Sequence, residues 1–78
     1  MKINPIKNIP LKTFRDYLKW NGLQLIRTSG GHEIWNKDGL TRPVVLQSHI
    51  SPVPANVVRN SLITLGVTAD NYIEFLKS

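Results

Sequence analysis

The chain has 78 residues, no cysteine and a net charge of +5, and 41% of its residues are apolar. This length fits one small domain, and the lack of cysteine excludes disulfides, thiolate zinc sites and cysteine nucleophiles. No apolar run is long enough to span a membrane, and the N-terminal residues lack the apolar core of a signal peptide, so we expect a cytoplasmic protein.

The positive charge is unevenly distributed along the chain. Residues 1–59 carry nine Lys and Arg against three acids, a net charge of +6, whereas residues 60–78 have a net charge of −1. A cationic body of this kind indicates a polyanionic partner or an acidic protein. The alternative interpretation is that the lysines only keep a small protein in solution.

The first predicted element is an amphipathic helix that follows an N-terminal arm over residues 1–9. Pro10 suits a first helical turn, and Gly22 suits the end of a helix. One apolar stripe at helical spacing contains Leu11, Phe14 and Leu18.

Three short strands are predicted next. The first covers residues 23–29, and the turn Gly30-Gly31 leads into a second strand over residues 32–37. Asp38-Gly39 is a strong hairpin signal, and a third strand covers residues 43–47 with a proline at its start. The pattern predicts a three-stranded antiparallel meander.

Two helices are predicted after a loop over residues 48–54. The first covers residues 55–65 and ends at Gly66, and a short terminal helix begins after the N-cap residue Thr68. The inner face of that last helix is expected to carry Tyr72, Ile73 and Leu76. The fold class is therefore α+β, one domain of order α-β-β-β-α plus a short C-terminal helix. Helices on one face of the sheet would leave the other face free for a partner.

The acids do not support metal-dependent chemistry. The five carboxylates are not spaced as metal ligands, whereas a two-metal nuclease needs several convergent acids. No glycine loop is followed by Lys-Ser or Lys-Thr, so P-loop nucleotide hydrolysis has no support. We expect neither a metal nor a cofactor.

Adjacent residues in the second strand have separate roles. His32 and Glu33 point to opposite faces of a strand, so they do not form an acid–base dyad. Trp35 is expected to pack in the core, the alternative being a platform on which an RNA base stacks.

His32 is the main candidate for catalysis. It follows the two-glycine turn, close to Arg27 on a basic domain, a combination that suggests acid–base chemistry on a phosphodiester. RNA supplies its own nucleophile, the 2′-hydroxyl, so an enzyme needs only to move protons and neutralise charge on the phosphate. His49 is a weaker candidate for the second proton transfer. From composition alone, each histidine is more often a plain surface residue.

These residues resemble the HicA toxin family, the small ribonuclease partners of bacterial and archaeal toxin–antitoxin pairs. The resemblance covers roughly residues 11–76 and is carried by Gly22, Leu25, Arg27, Gly30, His32, Val44-Val45-Leu46, His49, Arg59 and Gly66-Val67. Three departures from the family pattern stand out. Gly31 replaces the usual serine, and Gln47 replaces the proline before Ser48-His49. Asn56-Val57, in the predicted helix over residues 55–65, replaces the Gly-Thr that opens the last helix of the family pattern.

The resemblance implies a fold like that of a double-stranded-RNA-binding domain and metal-independent cleavage of mRNA, with His32 as the essential residue. It also implies neutralisation by a HicB-type antitoxin. We expect contacts to RNA from Arg27, Gly30, Gly31, Lys12, Arg15, Lys19, Lys37 and His49. Two alternatives stay open: a non-catalytic RNA-binding module of the same fold, and an inactive toxin remnant that only binds its antitoxin.

Overall fold

The computed structural model describes residues 6–78, so residues 1–5 of the expected N-terminal arm lie outside the described part. In chain order the elements are α1 (Leu11–Trp20), β1 (Gln24–Ser29), β2 (His32–Asn36), β3 (Val44–Gln47), α2 (Ala55–Leu65) and α3 (Ala69–Lys77). The α+β class and the predicted order of elements are confirmed. Within residues 6–78, no helix is long and apolar enough to cross a membrane.

The three strands form one antiparallel sheet in the order β1-β2-β3. Gly30 and Gly31 join β1 to β2 in a two-residue turn, with φ angles of 57° and 82°. Positive φ at both turn positions matches the right-handed twist of a hairpin and is tolerated best by glycine. The turn pairs Ser29 with His32, which places the histidine at the first position of β2.

The connection between β2 and β3 is one residue longer at each end than the predicted strands imply. Gly39 does turn the chain, with φ of 93°, but the connection extends over residues 37–43. Pro43, expected in the third strand, lies just before it because proline has no N–H to donate to the ladder. Leu40 within the connection packs against the core, which gives the longer loop an apolar anchor.

One face of the sheet is buried against the helices. Trp35 is 2% exposed and belongs to the core, so it is not available as a base-stacking platform. The buried core residues are Ile9, Leu11, Phe14, Tyr17, Leu18, Leu23, Trp35, Val44, Leu46, Val53, Val58, Leu62 and Tyr72. We call the opposite side of the sheet the outer face. Cross-strand partners share a face, so His32 and its partner Gln47 both lie there.

A bulge in β1 explains why this strand does not alternate cleanly. The register shifts between Leu25 and Arg27, which leaves Ile26 without a partner and 58% exposed. An extra residue in one strand reverses the faces of the residues that follow it. As a result, Arg27 pairs with Ile34 on the outer face, two positions along β2 from His32.

The segment before α1 is part of the fold from residue 6 onward. Ile9 is buried and exchanges two backbone hydrogen bonds with Val53, of 3.1 and 2.7 Å. Asn8 Oδ1 accepts a hydrogen bond of 2.9 Å from the first amide of α2. Reciprocally, Ser51 Oγ accepts one of 3.2 Å from the first amide of α1. The expected arm is therefore docked over residues 6–9.

Of the three residues predicted for the inner face of α3, only Tyr72 belongs to the buried core, and Ile73 is half-buried. Tyr72 is buried, and its ring meets that of Tyr17 edge-on at a centroid distance of 4.9 Å. Phe75 packs on the same tyrosine at 5.1 Å, whereas Leu76, expected on the inner face, is 50% exposed. Positions three and four apart are neighbours on one helix face, and of the two residues that follow Tyr72 at these spacings the core contacts Phe75 and not Leu76.

Candidate functional site

The His32 imidazole is free on the outer face of the sheet. It is exposed, and it has no hydrogen-bond or ion-pair partner among residues 6–78. His32 begins β2 directly after Gly30 and Gly31, so the two residues before it have no side chains that could cover the ring. An imidazole in this setting can accept or donate a proton to a bound molecule.

The second histidine lies against the same turn. A Cβ atom placed on Gly31 would be 3.1 Å from both Cδ2 and Nε2 of His49, closer than ordinary van der Waals contact. The missing side chain at position 31 therefore creates the space that the His49 ring occupies. The His49 ring therefore lies beside the turn that directly precedes His32, although the two histidines are 17 positions apart in the sequence.

Backbone and side-chain contacts of Ser48 hold that arrangement. Its amide donates to the Gly31 carbonyl at 2.7 Å, and its hydroxyl donates to Glu33 Oε2 at 2.8 Å. The next turn is closed by a hydrogen bond of 3.2 Å from the Ile50 amide to the Gln47 carbonyl. The residue before His49 is thus tied both to the glycine turn and to the interior.

Glu33 is the centre of a buried polar network that the sequence reasoning missed. The side chain is 4% exposed and accepts from Arg15 Nε at 3.1 Å, from a second nitrogen of the same guanidinium, and from Trp35 Nε1 at 3.0 Å. The Arg15 guanidinium, with the Ser48 and Trp35 donors, lowers the pKa of Glu33 from 4.5 to about 2 against the opposing effect of burial. An ionised carboxylate therefore joins α1, β2 and the loop after β3.

This network gives Arg15 a structural partner. Sequence reasoning assigned its guanidinium to RNA, but the structure places two of its nitrogens on Glu33, which also raises the pKa of Arg15 above its usual value. The signal available in the sequence was a lone acid two positions before a tryptophan in a strand, with an arginine on the preceding helix. Nothing in that spacing identifies which cation would reach the acid.

The predicted lysine contacts are spread over the molecule. Lys37 follows the far end of β2, about 16 Å along the strand from His32, and its Nζ donates to the Asn21 carbonyl at 2.8 Å. Lys12 lies 3.6 Å from Asp16 in an exposed pair of the kind that contributes little to stability. Lys19 lines a shallow cavity with Arg15, Glu33 and Trp35, on the helix side of the sheet.

Arg27 is the predicted cation that shares the outer face with His32. Its side chain is exposed and has no hydrogen-bond or ion-pair partner in the described chain. Its partner in the register is Ile34, so it is the diagonal neighbour of His32, a separation of about 7–8 Å that a long side chain can bridge. We call the group Arg27, Gly30, Gly31, His32 and His49 the two-histidine surface.

This surface can bind a phosphate with an arginine and exchange protons with two imidazoles. Across residues 6–78, no group of three or more His, Asp and Glu side chains is placed to hold a metal ion. The Glu33 carboxylate faces the interior and is committed to four donors, so it is not available as a base on the outer face.

Comparison with known proteins adds no assignment. The chain matches no protein-family model, no curated protein and no solved structure. The functional interpretation therefore depends on the two-histidine surface and on the sequence pattern quoted above.

Proposed function

We propose that this chain is a toxin of the HicA type: a metal-independent endoribonuclease that cleaves mRNA with His32 and is neutralised by a HicB-type antitoxin. The observation that carries the proposal is an exposed, unpartnered imidazole at a glycine turn, with Arg27 diagonal to it on the same face. The net charge of +5 favours an approaching polyanion.

The chemistry needs only groups that this surface offers. The 2′-oxygen of RNA attacks the adjacent phosphorus, the bond from phosphorus to the 5′-oxygen breaks, and the products are a 2′,3′-cyclic phosphate and a 5′-hydroxyl. His32 takes the 2′-proton or protonates the leaving oxygen, and each such transfer accelerates the reaction about 10²–10⁴-fold. Arg27 neutralises the charge that accumulates on the phosphate oxygens.

The first prediction concerns cleavage by purified protein. We expect the wild type to cut a single-stranded RNA in the presence of EDTA, to leave cyclic phosphate ends and to spare a DNA of the same sequence, which lacks the 2′-hydroxyl. His32→Ala should lower the rate by about 10²–10⁴-fold. Asn60→Ala, a change of an exposed residue on α2, is the matched control and should cleave normally.

Other outcomes would contradict this prediction. Cleavage by His32→Ala at the wild-type rate, or loss of cleavage on adding EDTA, removes the proposed mechanism. Binding of RNA without cleavage by the wild type would instead identify a non-catalytic RNA-binding module.

A growth assay tests the toxin assignment. Induction of the wild type in a bacterium without the partner gene should arrest growth, and His32→Ala should not. Co-expression of a HicB-type antitoxin should restore growth. Equal arrest by both chains would indicate toxicity by binding alone, and no arrest by either would indicate an inactive remnant.

A further inference from the structure

We propose that His49 is the second proton-transfer group of this reaction, so that cleavage is divided between two imidazoles held at one glycine turn. The inference deepens the proposed function and depends on it. The contact that carries it is the placement of the His49 ring 3.1 Å from where a side chain on Gly31 would begin.

Both imidazoles belong to the same end of the sheet. His32 opens β2 and pairs with Gln47, the last residue of β3, so His49 lies two residues beyond the cross-strand partner of His32. The Gly30-Gly31 turn lies between β1 and β2 at this end, and the His49 ring occupies the space that a side chain on its second glycine would enter. Both histidines therefore flank the same glycine turn at one end of the sheet.

The loop that carries His49 is anchored although His49 itself is exposed. Ser48 is joined to Gly31 by its amide and to the buried Glu33 by its hydroxyl. Glu33 is in turn fixed by Arg15 and Trp35. A chain of charge-assisted hydrogen bonds from α1 to Ser48 thus limits where the backbone of His49 can lie, which is what a proton-transfer group needs for a constant distance to its substrate.

The reaction itself calls for two groups. In an in-line displacement the attacking 2′-oxygen and the leaving 5′-oxygen lie on opposite sides of phosphorus, so one imidazole cannot contact both at once. One neutral imidazole takes the 2′-proton as the P–O2′ bond forms, and the other, as an imidazolium, gives its proton to O5′ as the P–O5′ bond breaks. The two rings then exchange protons with water and return to their starting states.

The experiment uses two versions of one RNA that has a single cleavable linkage, with oxygen or sulfur as the 5′-bridging atom. A thiolate leaves without being protonated because its parent thiol is far more acidic, with a pKa of about 8.5, than an alcohol. On the oxygen substrate we expect His32→Ala and His49→Ala each to lose about 10²–10⁴-fold in rate. On the sulfur substrate one of the two variants should return to within a few-fold of the wild type, and that variant lacks the acid.

Each other outcome overturns the proposal in a distinguishable way. If His49→Ala cleaves the oxygen substrate at the wild-type rate, or if sulfur restores neither variant or both, the divided mechanism is wrong while the loss in His32→Ala still supports a ribonuclease. If the wild type cleaves neither substrate, the proposed function fails with it. Far-ultraviolet circular dichroism and thermal unfolding verify that both variants are folded.

Ser48 is a positioning residue in this proposal, and it has its own test. Ser48→Ala should lower kcat on the oxygen substrate with little change in KM, because the His49 loop loses its tie to Glu33. Ser48→Thr keeps a hydroxyl and should recover most of the rate. A kcat for Ser48→Ala equal to that of the wild type would contradict the positioning role.

Discussion

Glycine is favoured at position 31 for two independent reasons, the backbone conformation and the lack of space for a side chain. The φ angle of 82° lies in the left-handed region, where a Cβ atom is unfavourable, and the same Cβ would press on the His49 ring. Gly30 has a φ angle of 57° but open space within 4 Å of its Cβ position. Substituting each glycine in turn therefore distinguishes the effect of backbone strain from the effect of contact with His49.

The pair Gly30→Ala and Gly31→Ala isolates that contact. Both variants should lose stability by about 1–2 kcal/mol, because each places an alanine in the left-handed region. Gly31→Ala should additionally shift the His49 ring and lower the rate of RNA cleavage below that of Gly30→Ala. The measurements are the free energy of unfolding in urea and the single-turnover cleavage rate.

Equal cleavage rates in the two alanine variants would mean that the His49 position has no bearing on activity. The same comparison bears on the departure from the family pattern at this position, because a serine would bring the same Cβ towards His49. Gly31→Ser should therefore resemble Gly31→Ala rather than the wild type.

At the scale of elements, local signals predicted most of the structure. The apolar spacing, Pro10 and Gly66 identify helices, and the Gly30-Gly31 turn identifies a hairpin, because each of these acts over a few neighbouring residues. Features that depend on distant partners were missed. The bulge at Ile26 reverses strand faces without any glycine to mark it, and residues 6–9 dock through pairing with Val53.

The missed docking of residues 6–9 leads to a prediction about helix capping. Asn8 supplies the side-chain cap of α2 from outside that helix, through its 2.9 Å hydrogen bond to the Ala55 amide. Asn8→Ala should therefore destabilise the protein by about 1 kcal/mol, a shift in Tm of about 4–8 °C for a domain of this size. Thermal unfolding monitored by circular dichroism measures the shift.

Asn56→Ala is the control for this capping effect. Asn56 is exposed in the first turn of the same helix, and alanine is the better helix former, so this change should leave Tm unchanged or slightly raised. A Tm for Asn8→Ala that equals the wild-type value would show that the cap contributes nothing to stability.

At the scale of the whole molecule, one buried carboxylate connects the layers. Glu33 lies on β2, its guanidinium partner on α1, and its hydroxyl partner in the loop that carries His49. Side chains alternate along β2, so Glu33 and His32 lie on opposite faces of the sheet. This separation of the two side chains was predictable from the sequence. The identities of its partners were not, because Arg15 is 18 positions away and Ser48 is 15.

The same carboxylate makes stability depend on pH in a known direction. Its pKa is about 2 in the folded protein and 4.5 ordinarily, so the unfolded chain binds the proton more readily. The contribution of Glu33 to stability is therefore fully present above pH 4.5 and is lost as the pH falls towards 2. The loss over that window should be on the order of 2–3 kcal/mol.

Glu33→Gln provides the comparison that assigns this loss to one residue. The variant should be less stable than the wild type at pH 7, because Arg15 loses its ionic partner, and the difference should narrow steadily between pH 4.5 and 2. The other four acids are common to both proteins, so their titration largely cancels in that difference. Urea unfolding at several pH values measures it. A difference that stays constant across the window would mean that the Glu33 proton is bound equally in the folded and unfolded chains, and the network would then not stabilise the loop beneath His49 by charge.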